Sequence, residues 1–133
     1  MTVLEVAGDV LEAAGAGVYG TSLFLGEMPA DPDVCTAVAE FEGTAPAETF
    51  RDGRSVGRPR VQVICRGAAE DYAGPRDAAV AARAALLAAG PVTTGDLTVL
   101  RFAPAGSGVL PLGPDQAGRH RVAVTFIAWT EQP

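Results

Sequence analysis

Arg58 to Ala89 constrains the fold most, because it sets a strand and a close-packing helix one after the other. Arg60–Arg66 (Arg-Val-Gln-Val-Ile-Cys-Arg) has the β-branched content and partial alternation of a strand. Gly67 ends it, and Glu70 and Asp71 place negative charge ahead of a helix, where the N-terminal partial positive charge is stabilised. Gly74-Pro75 reads as the helix entry, since proline at the first helical position loses no usable donor. Arg76–Ala89 is helical by propensity and Gly90-Pro91 closes it. Ala78, Ala82, Ala85 and Ala89 are small enough for the helix backbone to lie close to its support, while Leu86 and Leu87 supply bulk. This unit carries no chemistry of its own.

A length of 133 residues suits one domain, which can bury roughly two-thirds of its unfolded surface. Alanine makes up much of the 48% hydrophobic content, so the core must rest on scattered Val, Leu, Ile and Phe. Lysine is absent, which removes Schiff-base chemistry. The formal net charge of −6 disfavours nonspecific nucleic-acid binding, which depends on basic side chains neutralising phosphates. No basic region followed by an apolar run marks a signal peptide. No stretch approaches the roughly 18 to 20 apolar residues of a membrane span. Cys35 and Cys65 are too few for a disulfide framework and are expected to be free, buried thiols in a reducing cytosol.

Thr2–Ala14 reads as an amphipathic helix, with a capping box from Thr2 and Glu5 and a Gly-Ala-Gly break after it. Val18–Leu25 can form a strand, and Thr36–Glu42 alternates as a strand with one wet face would. Thr44–Gly57 shows no clear periodicity and contains Pro46, Asp52-Gly53 and Gly57, so a long linking loop is expected there. Pro91–Gly95 turns the chain into a strand over Leu97–Ala103. The Gly/Pro-rich passage Pro104–Gly118 follows, with one apolar piece at Val109–Leu112. Arg119–Thr130 is apolar on both faces, which predicts a strand in the middle of a sheet, covered on both sides. The sum is a single α+β domain over residues 1–133, a mostly antiparallel or mixed sheet packed by about two α-helices.

The search for catalytic, cofactor-binding and metal-binding residues yields none. His120, the only histidine, has no neighbour suited to base catalysis and reads as solvated. The cysteines lack a C-x-x-C spacing, and one histidine cannot complete a zinc site with them. Asp31 and Asp33 flank Pro32 in a turn, and Glu40 and Glu42 share a strand face; both pairs read as solvated rather than as a cation site or an acid–base pair. Gly106-Ser107-Gly108 lacks the lysine and following helix of a phosphate loop.

The opening helix with its glycine break leads to Leu23-Phe24-Leu25-Gly26-Glu27-Met28-Pro29, with Pro32-Asp33 after it. Gly43, Arg58-Pro59-Arg60-Val61-Gln62-Val63 and Asp71-Tyr72 before the alanine-rich helix follow, then Gly113-Pro114-Asp115 with Gly118-Arg119. In this order the pieces together resemble a family of bacteriophage proteins described as minor capsid or tail terminator proteins. The likeness spans nearly the whole chain, and departs from the pattern at Cys35 and in a short C-terminal tail. It implies a structural protein of the long-tailed phage virion, in the tail or neck region and assembled in the host bacterial cytoplasm. Such proteins form a hexameric ring that caps the tail tube, stops its polymerisation and offers a docking surface to the filled head. The implied partners are further copies of the chain, the tail tube protein and head completion or connector proteins. DNA would only pass through the ring lumen; no cofactor, no membrane and no enzymatic activity are implied. Two other readings stand beside this one. One is another neck component, such as a head completion or stopper protein. The other is a small cytosolic oligomeric enzyme or ligand-binding protein, with Arg101, or Arg119 and Arg121, gripping an anionic ligand.

Charge placement suggests where subunits could meet. Residues 1–50 hold nine carboxylates and no basic residue, and all ten arginines lie from Arg51 onward. Arg51, Arg54, Arg58 and Arg60 cluster in or beside the expected loop, and are the candidate contacts to a neighbouring subunit or the tail tube. Alternatively, folding mixes the two halves on one surface and the asymmetry carries no meaning.

Overall fold

The computed structural model describes residues 2–48, 55–106 and 108–132. Its elements run α1 (Val3–Ala13), β1 (Leu23–Leu25), β2 (Cys35–Glu48), β3 (Ser55–Ala69), α2 (Ala73–Ala88), β4 (Val92–Thr94), β5 (Leu97–Pro104), β6 (Leu110–Pro114) and β7 (Arg119–Gln132). One seven-stranded sheet has the order β1-β2-β3-β7-β5-β4, with β6 pairing the N-terminal half of β7 beyond the end of β5. Among the described residues, only the β1–β2 strand pair is parallel. The α+β class expected from the sequence is the class found.

Local sequence explains the helix ends. The Thr2 hydroxyl accepts the Glu5 N–H at 3.4 Å, so the expected cap opens α1. Ahead of α2, the Asp71 carboxylate accepts the Gly74 N–H at 3.1 Å. The helix therefore starts before Pro75, which lies buried in its first turn. Gly67 lets the end of β3 approach this turn: a Cβ there would sit 2.6 Å from Pro75 Cδ. Of the small positions expected on α2, Ala82 is buried and Ala85 and Ala89 are partly so, but Ala78 is exposed. Pro75, Ala79 and Leu86 complete the buried stripe.

Both helices lie on the same side of the sheet. Val6, Ala7 and Leu11 of α1 and Ala79, Ala82 and Leu86 of α2 share one core cluster with Val38, Val61, Val63, Val124 and Phe126. Cross-strand partners point to one face, and the register Val38–Val63–Val124 marks the helix-covered one. Each fully buried side chain of this size contributes about 1.5–3 kcal/mol. Phe102 and Phe126 meet edge to face at a centroid distance of 6.2 Å.

Three expectations need correction. The segment Thr44–Gly57 is mostly strand: β2 and β3 stay paired out to Glu48 and Ser55, leaving only residues 49–54, outside the described residues, to join them. Register shifts between Phe41 and Thr44 and between Thr44 and Ala47 destroy the period-two pattern, and Pro46 sits at the second shift, where a sheet tolerates proline. Val18–Leu25 forms strand only at Leu23–Leu25; Val18–Ser22 is a turn in which the Ser22 and Leu23 N–H groups both donate to the Val18 carbonyl. Finally, β7 is central, between β3 on one edge and β5 and β6 on the other, but the helices cover only one of its faces.

Candidate interaction surface

The uncovered face is built from the alternate residues of the same strands. Its rows follow from the register: Ala37, Ile64, Ala123 and Leu110; then Ala39, Gln62 and Thr125; then Arg60, Ile127 and Ala103; then Trp129 and Arg101. Ala37 and Ala123 are buried, being small between larger neighbours, while Ile64, Ile127 and Trp129 are half-buried and Leu110 is 54% exposed. The Arg58 guanidinium lies 5.5 Å from the centroid of the Trp129 ring, a cation–π contact. Arg121 stands at the opposite end of the face in register with Arg66 and Gly113. Its Nε is buried without a hydrogen-bond partner among the described residues.

Of the four arginines expected to make contacts, the structure brings Arg58 and Arg60 to this face, while Arg51 and Arg54 lie outside the described residues. Arg101 joins them from β5. The neighbours on this face come from strands far apart in the chain, so spacing alone could not show that Arg101 and Arg121 stand with Arg58 and Arg60.

Two further arginines cross into the acidic N-terminal half. Arg66 is buried and donates from Nε to the Asp33 carbonyl at 2.9 Å, and from Nη2 to the Pro32 and Ala30 carbonyls at 2.6 and 3.3 Å. Arg119 donates from Nη1 to the Ala30 carbonyl at 2.7 Å and to Asp33 Oδ1 at 3.1 Å, and from Nε to Asp115 Oδ2 at 2.8 Å. The Arg119 and Ala117 N–H groups donate to Asp115 Oδ1 and, with the guanidinium, hold this carboxyl below its usual range. The turn over Ala30–Asp33 is therefore clamped onto the sheet by backbone-seeking guanidinium groups. Sequence reasoning missed this clamp: the sole hint was an arginine, Arg66, closing an otherwise apolar strand. Part of the charge asymmetry is thus spent inside the subunit, with Arg119 held by two carboxylates.

Beside the clamp lies a groove of ≈ 630 Å³ between the α1–β1 turn and the start of α2, with Val18, Val34, Cys35, Arg66, Pro75 and Ala78 on its walls. Little in it suits catalysis. Burial pushes the Cys35 thiol up, and Cys65 is pushed up to about 11 by burial even though the Thr36 hydroxyl lies 3.6 Å from its sulfur. The two thiols are free and sit on opposite faces of the sheet. Tyr19 donates to Asp9 Oδ1 at 2.8 Å, and burial and then this bond raise its phenol well above the usual range. His120 packs edge-on against Tyr72 at 5.6 Å. Among the described residues no three His, Cys, Asp or Glu side chains converge on a metal-sized site, and no helix is long and apolar enough to cross a membrane.

The family model described as "Bacteriophage tail terminator protein" matches residues 10–128. A chain from the solved virion of a native gene transfer agent particle has the same fold, with a TM-score of 0.54 and 21% sequence identity. That alignment covers 98% of this chain and 99% of the other. No curated protein matches significantly.

Proposed function

The chain belongs to the bacteriophage tail terminator family, and from that premise we propose that it forms a ring, most simply a hexamer, that caps the head-proximal end of the tail tube. The family is one of phage structural proteins, and in this reading the protein serves as a structural part of the tail and not as an enzyme. In the proposed role the ring halts tube polymerisation and then presents a surface to head completion or connector proteins. Its place is the tail–neck region of the virion, it assembles in the host cytoplasm, and DNA passes through its lumen only in transit.

The family match over nearly the whole chain carries this reading. The geometry supports it in one respect: among the described residues, a sheet face with apolar rows and an arginine fringe is left without a covering layer. Arg58 and Arg60, with Arg51 and Arg54 on the connecting residues, remain the candidate contacts to a neighbouring subunit or the tube. Negative-stain imaging of the purified protein, with and without tail tube protein, is the test. Rings in either preparation are expected; monomer in both would refute the proposal.

A further inference from the structure

We propose that the open sheet face of one copy is covered by the helix layer of the next, so that the ring is a head-to-tail stack of two-layer subunits. This rests on the ring reading above and names the two surfaces that would meet.

The outward side of α2 carries Val80, Ala84 and Leu87 at the i, i+4, i+7 spacing of one helical stripe, with Val80 45% and Leu87 37% exposed. The inward stripe of α2 is already used in the core. The open sheet face offers Ile64, Ile127, Trp129 and Leu110 as a complementary surface. A tryptophan with arginines around an apolar centre is the composition that protein–protein interfaces favour.

Arg58, Arg60 and Arg101 fringe the sheet face, with Arg121 at its far end. The helix layer exposes Asp9 and Glu12 on α1 and Asp77 on α2, offset in part by Arg76. A nucleic acid would want the basic side chains at the centre and the chain positive overall, whereas the centre is apolar and the net charge is −6. Opposed fields at a rim steer and register the contact more than they tighten it.

The two surfaces lie on opposite sides of the domain, so they cannot form a self-complementary twofold contact. A contact between two different patches repeats from copy to copy, closing a ring when the rotation allows.

A swap of charges tests the pairing. Arg60→Glu with Arg101→Glu makes the sheet face acidic; Asp9→Arg with Asp77→Arg makes the helix layer basic. Each variant alone should raise the concentration needed for assembly by about tenfold or more. An equal mixture should recover the parent value, because every contact in an alternating ring is again between opposite charges. Circular dichroism confirms folding of each variant. An independent readout needs no substitution: Trp129, the only tryptophan, sits on the sheet face. Its emission should shift to the blue and resist acrylamide quenching when the parent assembles. Parent rings with unchanged Trp129 quenching, variants that assemble like the parent, or a mixture that fails to recover would each overturn the pairing and leave the ring standing. A Trp129 response seen only on adding tail tube protein would assign the face to the tube and overturn the inference. A parent that assembles under no condition would remove the ring itself.

Discussion

Phe126 and Ile127 are neighbours on β7 that face opposite sides of the sheet. Phe126 is fully buried under the helices and against Phe102, while Ile127 stands half-buried between Arg60 and Ala103 on the other face. The same strands build both faces, and both are rich in apolar side chains. Among the described residues, only one has its covering layer inside the chain. Residue pattern reports that a face tends to leave water, and it is silent on whether the chain itself or a partner does the covering. For a member of a family of phage structural proteins, the second arrangement is the informative one.

The sharpest way to break the comparison is to truncate both neighbours. Phe126→Ala should destabilise the isolated subunit by about 3–5 kcal/mol, the range for a large aromatic removed from a packed core. Denaturant unfolding of the monomer measures it, and a loss below about 1 kcal/mol would mean that the helix layer packs loosely.

Arg66→Ala comes next. Its buried guanidinium answers the carbonyls of Ala30, Pro32 and Asp33. Losing these charged-donor bonds should cost about 2–3 kcal/mol, with fast hydrogen exchange spreading through the Ala30–Asp33 turn. A turn that stays protected would place its anchor on Arg119 instead.

Ile127→Ala should cost the monomer only about 1–2 kcal/mol, roughly half of a fully buried truncation. Its larger effect should fall on assembly, measured by light scattering across a dilution series. Equal monomer losses at positions 126 and 127 would erase the distinction between the faces.

The smallest effect is expected at Glu70, which holds φ at +64° before α2. Glu70→Gly relieves this left-handed strain and loosens the unfolded chain by a comparable amount. The net change should stay within about 1 kcal/mol and leave assembly untouched.

These contrasts mirror what could be read before the structure. The cap at Thr2, the helix stop at Gly90-Pro91 and the central position of β7 follow from local chemistry and were legible. The arms of the β2–β3 pair were not, because Gly43, Pro46 and the register shifts interrupt alternation while pairing partners lie on another strand. Coverage of both faces of β7 was expected and failed for the reason above. At the candidate surface, clustering singles out Arg58 and Arg60, while Arg101, Arg119 and Arg121 stand out in the sequence only as grips for an anionic ligand. That Arg101 and Arg121 share the face of Arg58 and Arg60, and that Arg66 and Arg119 clamp a turn, depends on long-range contacts that no window of sequence contains.

The central claim is that the protein ends a tail tube by capping it, and a tube-elongation assay addresses it most directly. Purified tail tube protein is allowed to polymerise, this protein is added at a molar amount matching the growing ends, and tube lengths are followed by electron microscopy. The account predicts that elongation stops and that one end of each tube carries a ring-shaped cap. Tubes that lengthen at the same rate, with bare ends at saturating protein, would contradict it.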